Sequence, residues 1–214
     1  MNNFLRKYTA NKIICRIFVQ MNAENSILTQ LFIQNKGYVK ASDLAKNRSL
    51  YNTLNELLKE NLVVKIKVGL YKHTQFVQEN EELEVLKMYP QGVLCLYSAW
   101  YHYNLLTHIP SEYHLAFPHQ QKINFQDYPP IKAYYWSDKF YNFQIKEIDG
   151  LKIYSLEKSV CDAIKFRNKI GVSVMSDVIK SYINRKDKNL DMLLKIAGKM
   201  KMENLLREYL EMIL

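Results

Sequence analysis

Four of the five histidines, His102, His108, His114 and His119, follow one another at separations of six, six and five residues. Zinc chemistry draws its paired ligands from much closer positions, and the first of these histidines sits in a stretch that reads as a buried helix, so no metal site is expected. Asp149, Glu157 and Lys158 offer the two carboxylates and a lysine that a metal-dependent nuclease needs, and Asp162 with Lys165 offers a second such set. Carboxylates at such places more often cap helices or pair on surfaces, and Asp162 is expected to tie its helix to a neighbouring strand. No glycine-rich phosphate loop and no Ser/His/Asp or Cys/His arrangement stands out. The chain is therefore expected to be neither an enzyme nor a cofactor carrier.

Charge is the stronger signal. The first 75 residues hold 12 Lys/Arg against 4 Asp/Glu, whereas the remaining 139 hold 18 against 17, within a total formal charge of +9. One end is built to approach a polyanion and the other is not. Cys15, Cys95 and Cys161 are odd in number and far apart, which suits reduced thiols in a cytosol better than a disulfide framework. Arg16 interrupts the apolar stretch from Ile13 to Val19, and no small-residue cleavage site follows it, which argues against a secretory signal. No run reaches the roughly 20 apolar residues of a membrane span. A cytoplasmic protein without membrane contact is expected.

These basic residues need a scaffold, and residues 23–75 predict one. Ile27, Leu28, Leu31 and Phe32 form the apolar stripe of a helix starting near Glu24, with Gly37 as its left-handed stop. A short helix over Asp43–Lys46 follows. Ser49 caps a third helix that runs to about Glu60 and buries Leu50, Leu54, Leu57 and Leu58. That pattern leaves Arg48, Ser49, Asn52, Thr53 and Glu56 on the outer side. The β-branched run from Leu62 to Lys67, then Val68-Gly69 and Leu70-Tyr71-Lys72, predicts a hairpin closed near Gly69. Three helices and a basic hairpin is the order of a winged helix-turn-helix. The third helix would offer Arg48, Ser49, Asn52 and Thr53 to base edges of duplex DNA, while the wing lysines Lys65 and Lys67 hold phosphate. The upstream segment 1–22 is basic and amphipathic, and carries no assigned role.

Beyond Gln78 an acidic run opens a helix that ends at Pro90, its carboxylates suited to the helix dipole. Residues 93–104 read as a buried helix. Tyr113–Pro118, Ile131–Trp136 and Phe143–Ile148 read as strands, and Asp149-Gly150 joins the last to Leu151–Tyr154 as a hairpin. From Ser155, an expected N-cap, repeated helical stripes run to the end. The fold class is thus α+β: an N-terminal winged helix-turn-helix, then a mixed α/β C-terminal domain over 76–214 with a helical tail. The 16 tyrosines are expected to bury their rings and keep their hydroxyls wet.

Cys95-Leu96-Tyr97-Ser98-Ala99-Trp100, then Leu105-Leu106-Thr107 with Pro110, then Leu115-Ala116-Phe117-Pro118, resembles the C-terminal domain of AbiEi-type antitoxins. The segment from Ile153 to Asp162 resembles that family's second signature, with Lys158-Ser159 where the family has Arg-Thr ahead of an Asp. The exchange keeps a charge and a hydroxyl and loses the guanidinium fork. Family order and spacing extend over roughly residues 24–213. The resemblance implies an antitoxin of a type IV toxin–antitoxin, or abortive-infection, system that represses its own operon at repeats in the promoter. It further implies action against a nucleotidyltransferase-like toxin without need of a stable complex, and singles out Ser98, Lys158, Ser159 and Asp162 as the antitoxin-domain motif. Two alternatives stand beside it: a winged-helix repressor with a ligand-sensing second domain, and a DNA nuclease.

Overall fold

The computed structural model describes residues 27–75 and 80–213. The expected extension over 1–22, with Cys15, and the start of the first helix lie outside those residues. The chain divides between Glu81 and Glu82 into two units, and its class is α+β.

In the first unit a helix (α1) covers residues 27–34 and sinks Leu28 and Phe32 completely. Lys36 and Gly37 both take positive φ (57° and 87°) to end it, and the Gly37 amide donates back to the Phe32 carbonyl at 2.6 Å. β1 (Tyr38–Lys40) follows. The expected helix at Asp43–Lys46 is instead a 3-10 turn at Ala41–Leu44, tightened by Asp43, whose carboxylate accepts the Lys40 amide at 2.9 Å. The next helix, α2 (Arg48–Lys59), is capped by Asn47 rather than Ser49. The Asn47 side-chain oxygen accepts the amides of Ser49 and Leu50 at 3.0 and 3.4 Å. Leu50 and Leu54 then pack with Val39, Leu44 and Val63, and Leu57 and Leu58 border that core.

β2 (Val63–Lys67) and β3 (Leu70–His73) form the hairpin, turning at Val68-Gly69 with Gly69 at φ 73°. β1 joins β3 on its other side, giving an antiparallel sheet in the order β1-β3-β2. The residues after α1, expected only as an extended step, are thus a paired strand.

Helix α3 (Glu81–Met88) starts at the boundary between the units, and the second unit builds a mixed sheet from β4 (Val93–Leu94), β5 (Tyr113–Pro118), β6 (Ile131–Trp136), β7 (Ile145–Ile148) and β8 (Leu151–Tyr154). The strand order is β6-β5-β4-β8-β7. The stretch 93–104, expected as one buried helix, splits. Val93-Leu94 occupies the middle of the sheet, and α4 (Leu96–His102) begins only after Cys95. A fully buried strand and a buried helix share an all-apolar pattern, so periodicity alone does not separate them. Asp149-Gly150 closes the β7–β8 hairpin with both residues at positive φ (52° and 88°), as a tight two-residue loop requires.

A four-residue helix, α5 (Asp138–Tyr141), bridges β6 and β7. The tail is helical as expected: α6 (Leu156–Ile170), α7 (Val172–Ile183), α8 (Leu190–Lys199) and α9 (Glu203–Ile213). Ser155 caps α6, its hydroxyl accepting the Lys158 amide at 3.3 Å. The core gathers Trp100, Tyr154, Val160, Ile164, Ile179 and Leu193. Tyrosine hydroxyls contribute more here than expected. Those of Tyr103, Tyr141 and Tyr154 donate to main-chain carbonyls of Tyr154, Gln91 and Tyr141, linking the end of α4 to β8, α5 to the turn after α3, and β8 to α5.

Candidate functional site

The candidate nucleic-acid interface grows from α2 and the hairpin. Arg48 opens the helix and Asn52 lies one turn on, both exposed, and Asn55, Glu56 and Lys59 continue the same solvent face. Ser49 is half-buried with its amide held by the Asn47 cap. Thr53 contradicts the sequence reading: it is 4% exposed. From Leu50, the spacing i, i+3, i+4, i+7 lands on Thr53, Leu54 and Leu57, which places the threonine on the apolar stripe. Asn55 and Lys59 were missed, although the same count leaves them outside.

Lys65 and Lys67 part company as well. Lys65 stands opposite Tyr71 and Lys67 opposite Leu70, with a bulge between. Residues directly opposite each other share a face, and Tyr71 and Leu70 are adjacent on one strand, so the two lysines stand on opposite faces of the ribbon. Lys65 is exposed; Lys67 is half-buried, and its ammonium is shifted below the usual lysine value by that burial. Around them Lys36, Lys40, Lys46 and Lys59 are exposed. Over residues 27–75 eight basic side chains stand against three acidic ones. Such a surface can hold phosphate by charge while Arg48 and Asn52 reach further. On duplex DNA, Lys65→Ala is expected to flatten the slope of log affinity against log salt by about one unit. Lys67→Ala should change it less. A binding titration across salt concentrations measures both, and equal effects would mean that the bulge does not separate them.

In the second unit, the residues of the motif build interior. Ser98 is buried and its hydroxyl accepts the His114 amide at 2.9 Å. The Ser159 carbonyl accepts the Trp100 indole N–H at 2.9 Å. Lys158 and Asp162 are both fully buried, and the Lys158 ammonium donates to the two carboxylate oxygens at 2.6 and 2.7 Å. The same ammonium lies 4.2 Å from the ring centres of Trp136 on β6 and Tyr154 on β8. Asp162 therefore closes on its own helix, and the lysine couples α6 to the sheet. Burial raises the Asp162 carboxyl above the ordinary aspartate value, and the charge of Lys158 opposes that rise. Cys95 and Cys161 are free and buried, their thiols pushed up first by burial and then by Asp162, which leaves little thiolate for chemistry.

The remaining candidates scatter. Asp149 sits at one end of β8 and Glu157 beyond the other, so that strand's length keeps the first carboxylate–lysine set apart. Lys165 rests on aromatic rings, 4.4 Å from the centre of Trp136 and 4.3 Å from that of Phe140. His102 pairs with Glu82 at 3.5 Å, His108 and His119 are exposed, and His114 is buried against Tyr97 and Tyr134. Burial, then Lys132, lowers the His114 imidazole to about 4. Among the described residues no group of three His, Cys, Asp or Glu is placed to hold a metal ion. Among them, too, no helix is long and apolar enough to cross a membrane.

No family model and no curated protein matches the chain. Among solved structures it is similar to the crystal structure of the RV2827C protein from Mycobacterium tuberculosis. That likeness has a TM-score of 0.56 at 13% identity and covers 82% of this chain and 71% of the other. At that identity the likeness is one of fold.

Proposed function

We propose that the chain is a DNA-binding antitoxin of the type IV, abortive-infection kind, which represses its own operon and counteracts a nucleotidyltransferase-like toxin. The first unit serves in this reading as a winged helix-turn-helix that binds operator repeats, with α2 as recognition helix and the β2–β3 hairpin as wing. The observation that carries the DNA-binding half is the exposed pair Arg48 and Asn52 at the start of α2, in a unit whose Lys40, Lys46, Lys59 and Lys65 are also exposed. Long-range attraction by such a surface raises encounter rates with a polyanion, and polar side chains at a helix N-terminal end have the length to meet base edges. The antitoxin half rests on the resemblance of the segments around Ser98 and Lys158. An interior built from those segments suits a binding role better than catalysis.

The test is co-expression with the product of the adjacent reading frame. The full chain is expected to restore growth and to silence a reporter fused to its own promoter. Arg48→Ala with Asn52→Ala should lose silencing and keep the growth rescue, because the two roles are assigned to different units. A full chain that leaves growth arrested would remove the antitoxin assignment while leaving DNA binding to be judged by the reporter. A second reading, a repressor with a ligand-sensing second unit, is favoured by one observation: an open cleft of about 760 Å³ between α6 and the α8–α9 turn.

A further inference from the structure

We infer that this cleft is a binding site for a phosphate-bearing nucleotide. The assignment goes beyond both readings above and holds whichever of them is right. The volume falls within the range of small-ligand sites, roughly 300–1,000 Å³. Lys165 and Arg167 of α6 and Lys201 of the α8–α9 turn line it, together with Glu203 and Glu208. Glu203 is held by Arg207 at 2.8 Å, so its charge is already answered. None of the three lining cations forms an ion pair with any described residue. Three cations against Glu208, the one lining carboxylate not held by Arg207, leave the concavity net positive, and such a concavity draws in an anion.

Two of the cations are also positioned in advance. The Lys165 ammonium rests on the rings of Trp136 and Phe140, and the Arg167 guanidinium donates to the Ile164 carbonyl at 3.0 Å. Fixing donors before binding lowers the entropy cost of binding. A lone carboxylate would meet one such donor. A phosphate chain, with several charges spread over its length, can meet all three cations. Met202 and Leu205 supply an apolar stretch of wall on which a base can lie.

The same phosphate chemistry reaches the protein from two sources, a free nucleoside triphosphate or the phosphorylated end of a nucleic-acid strand. Calorimetry on the full chain at low salt separates them, using ATP, inorganic triphosphate, and a short single-stranded oligonucleotide with and without a 5′-phosphate. Binding of ATP and inorganic triphosphate would place the free nucleotide in the cleft. A preference for the phosphorylated oligonucleotide over its unphosphorylated twin would place a strand end there. Either result upholds the site if Lys201→Glu and Arg167→Gln each weaken binding by about tenfold or more, as loss of a charge-assisted contact implies. Both variants should retain wild-type affinity for promoter DNA, which separates the cleft from the first unit. Lys165→Ala is a poorer choice because the lysine also packs against two rings. No binding of any probe at millimolar concentration, or undiminished binding by both variants, overturns the inference.

Discussion

Lys158→Ala is expected to cost about 3–5 kcal/mol of stability, the scale set by stripping one partner from a buried ion pair. The ammonium it removes satisfies both Asp162 oxygens and sits against two aromatic rings, and neither residue is exposed to water that could replace it. Denaturant unfolding of the second unit measures the loss. The pH dependence carries a sign of its own. Burial already raises the Asp162 carboxyl, and without Lys158 only the more weakly acting charge of Lys165 still opposes that rise. A carboxyl whose folded value lies above its unfolded value binds its proton more tightly in the folded state. Its favourable contribution is complete below the unfolded value and is lost as pH climbs through the folded one. The deficit of the variant should therefore be smallest in acid and widen toward neutrality. Lys158→Met combined with Asp162→Leu removes both charges and should recover much of the loss, because apolar groups of similar volume often replace a buried pair at little cost. A single variant as stable as the parent at neutral pH would mean that water reaches the carboxylate.

The second large effect is expected at α2. Arg48→Ala and Asn52→Ala should each cost about 1–3 kcal/mol on the promoter sequence and less on scrambled duplex, with relaxed preference at the bases they face. They stand four residues apart on one exposed face, so the double variant should reveal coupling when compared with the sum of the singles. Competition binding against a panel of single-base changes is the measurement. Equal losses on promoter and scrambled DNA would restrict both residues to phosphate.

What the sequence made legible follows from how local each feature is. The β7–β8 loop was visible because Asp-Gly demands positive φ at consecutive positions, and the Ser155 cap because a hydroxyl ahead of an apolar stripe has one obvious partner. The cap of α2 was misplaced by two residues because Asn47 and Ser49 are both competent acceptors, and backbone geometry alone chooses between them. The opposition of Lys65 and Lys67 depends on one unpaired residue in a strand, which no hydropathy pattern records. Lys158 and Asp162 were visible as an i, i+4 pair, a spacing that usually marks a solvated helix face. Their burial follows from β6, β8 and α4 all closing on the first turns of α6, a fact about distant segments. The cleft shows the same limit, since its cations come from two stretches of chain more than thirty residues apart.

Both tryptophans, Trp100 and Trp136, belong to the second unit, and both are buried. Light absorbed selectively by indole is thus emitted from that unit alone, with Trp136 reporting from beside two lysine ammonium groups. The first unit is dark at those wavelengths. Titration with promoter DNA can then be followed by two signals that do not share an origin: mobility or anisotropy of labelled DNA for the first unit, indole emission for the second. Emission that stays constant while DNA is bound describes two modules that act side by side. Emission that moves with DNA occupancy describes a message passed between them.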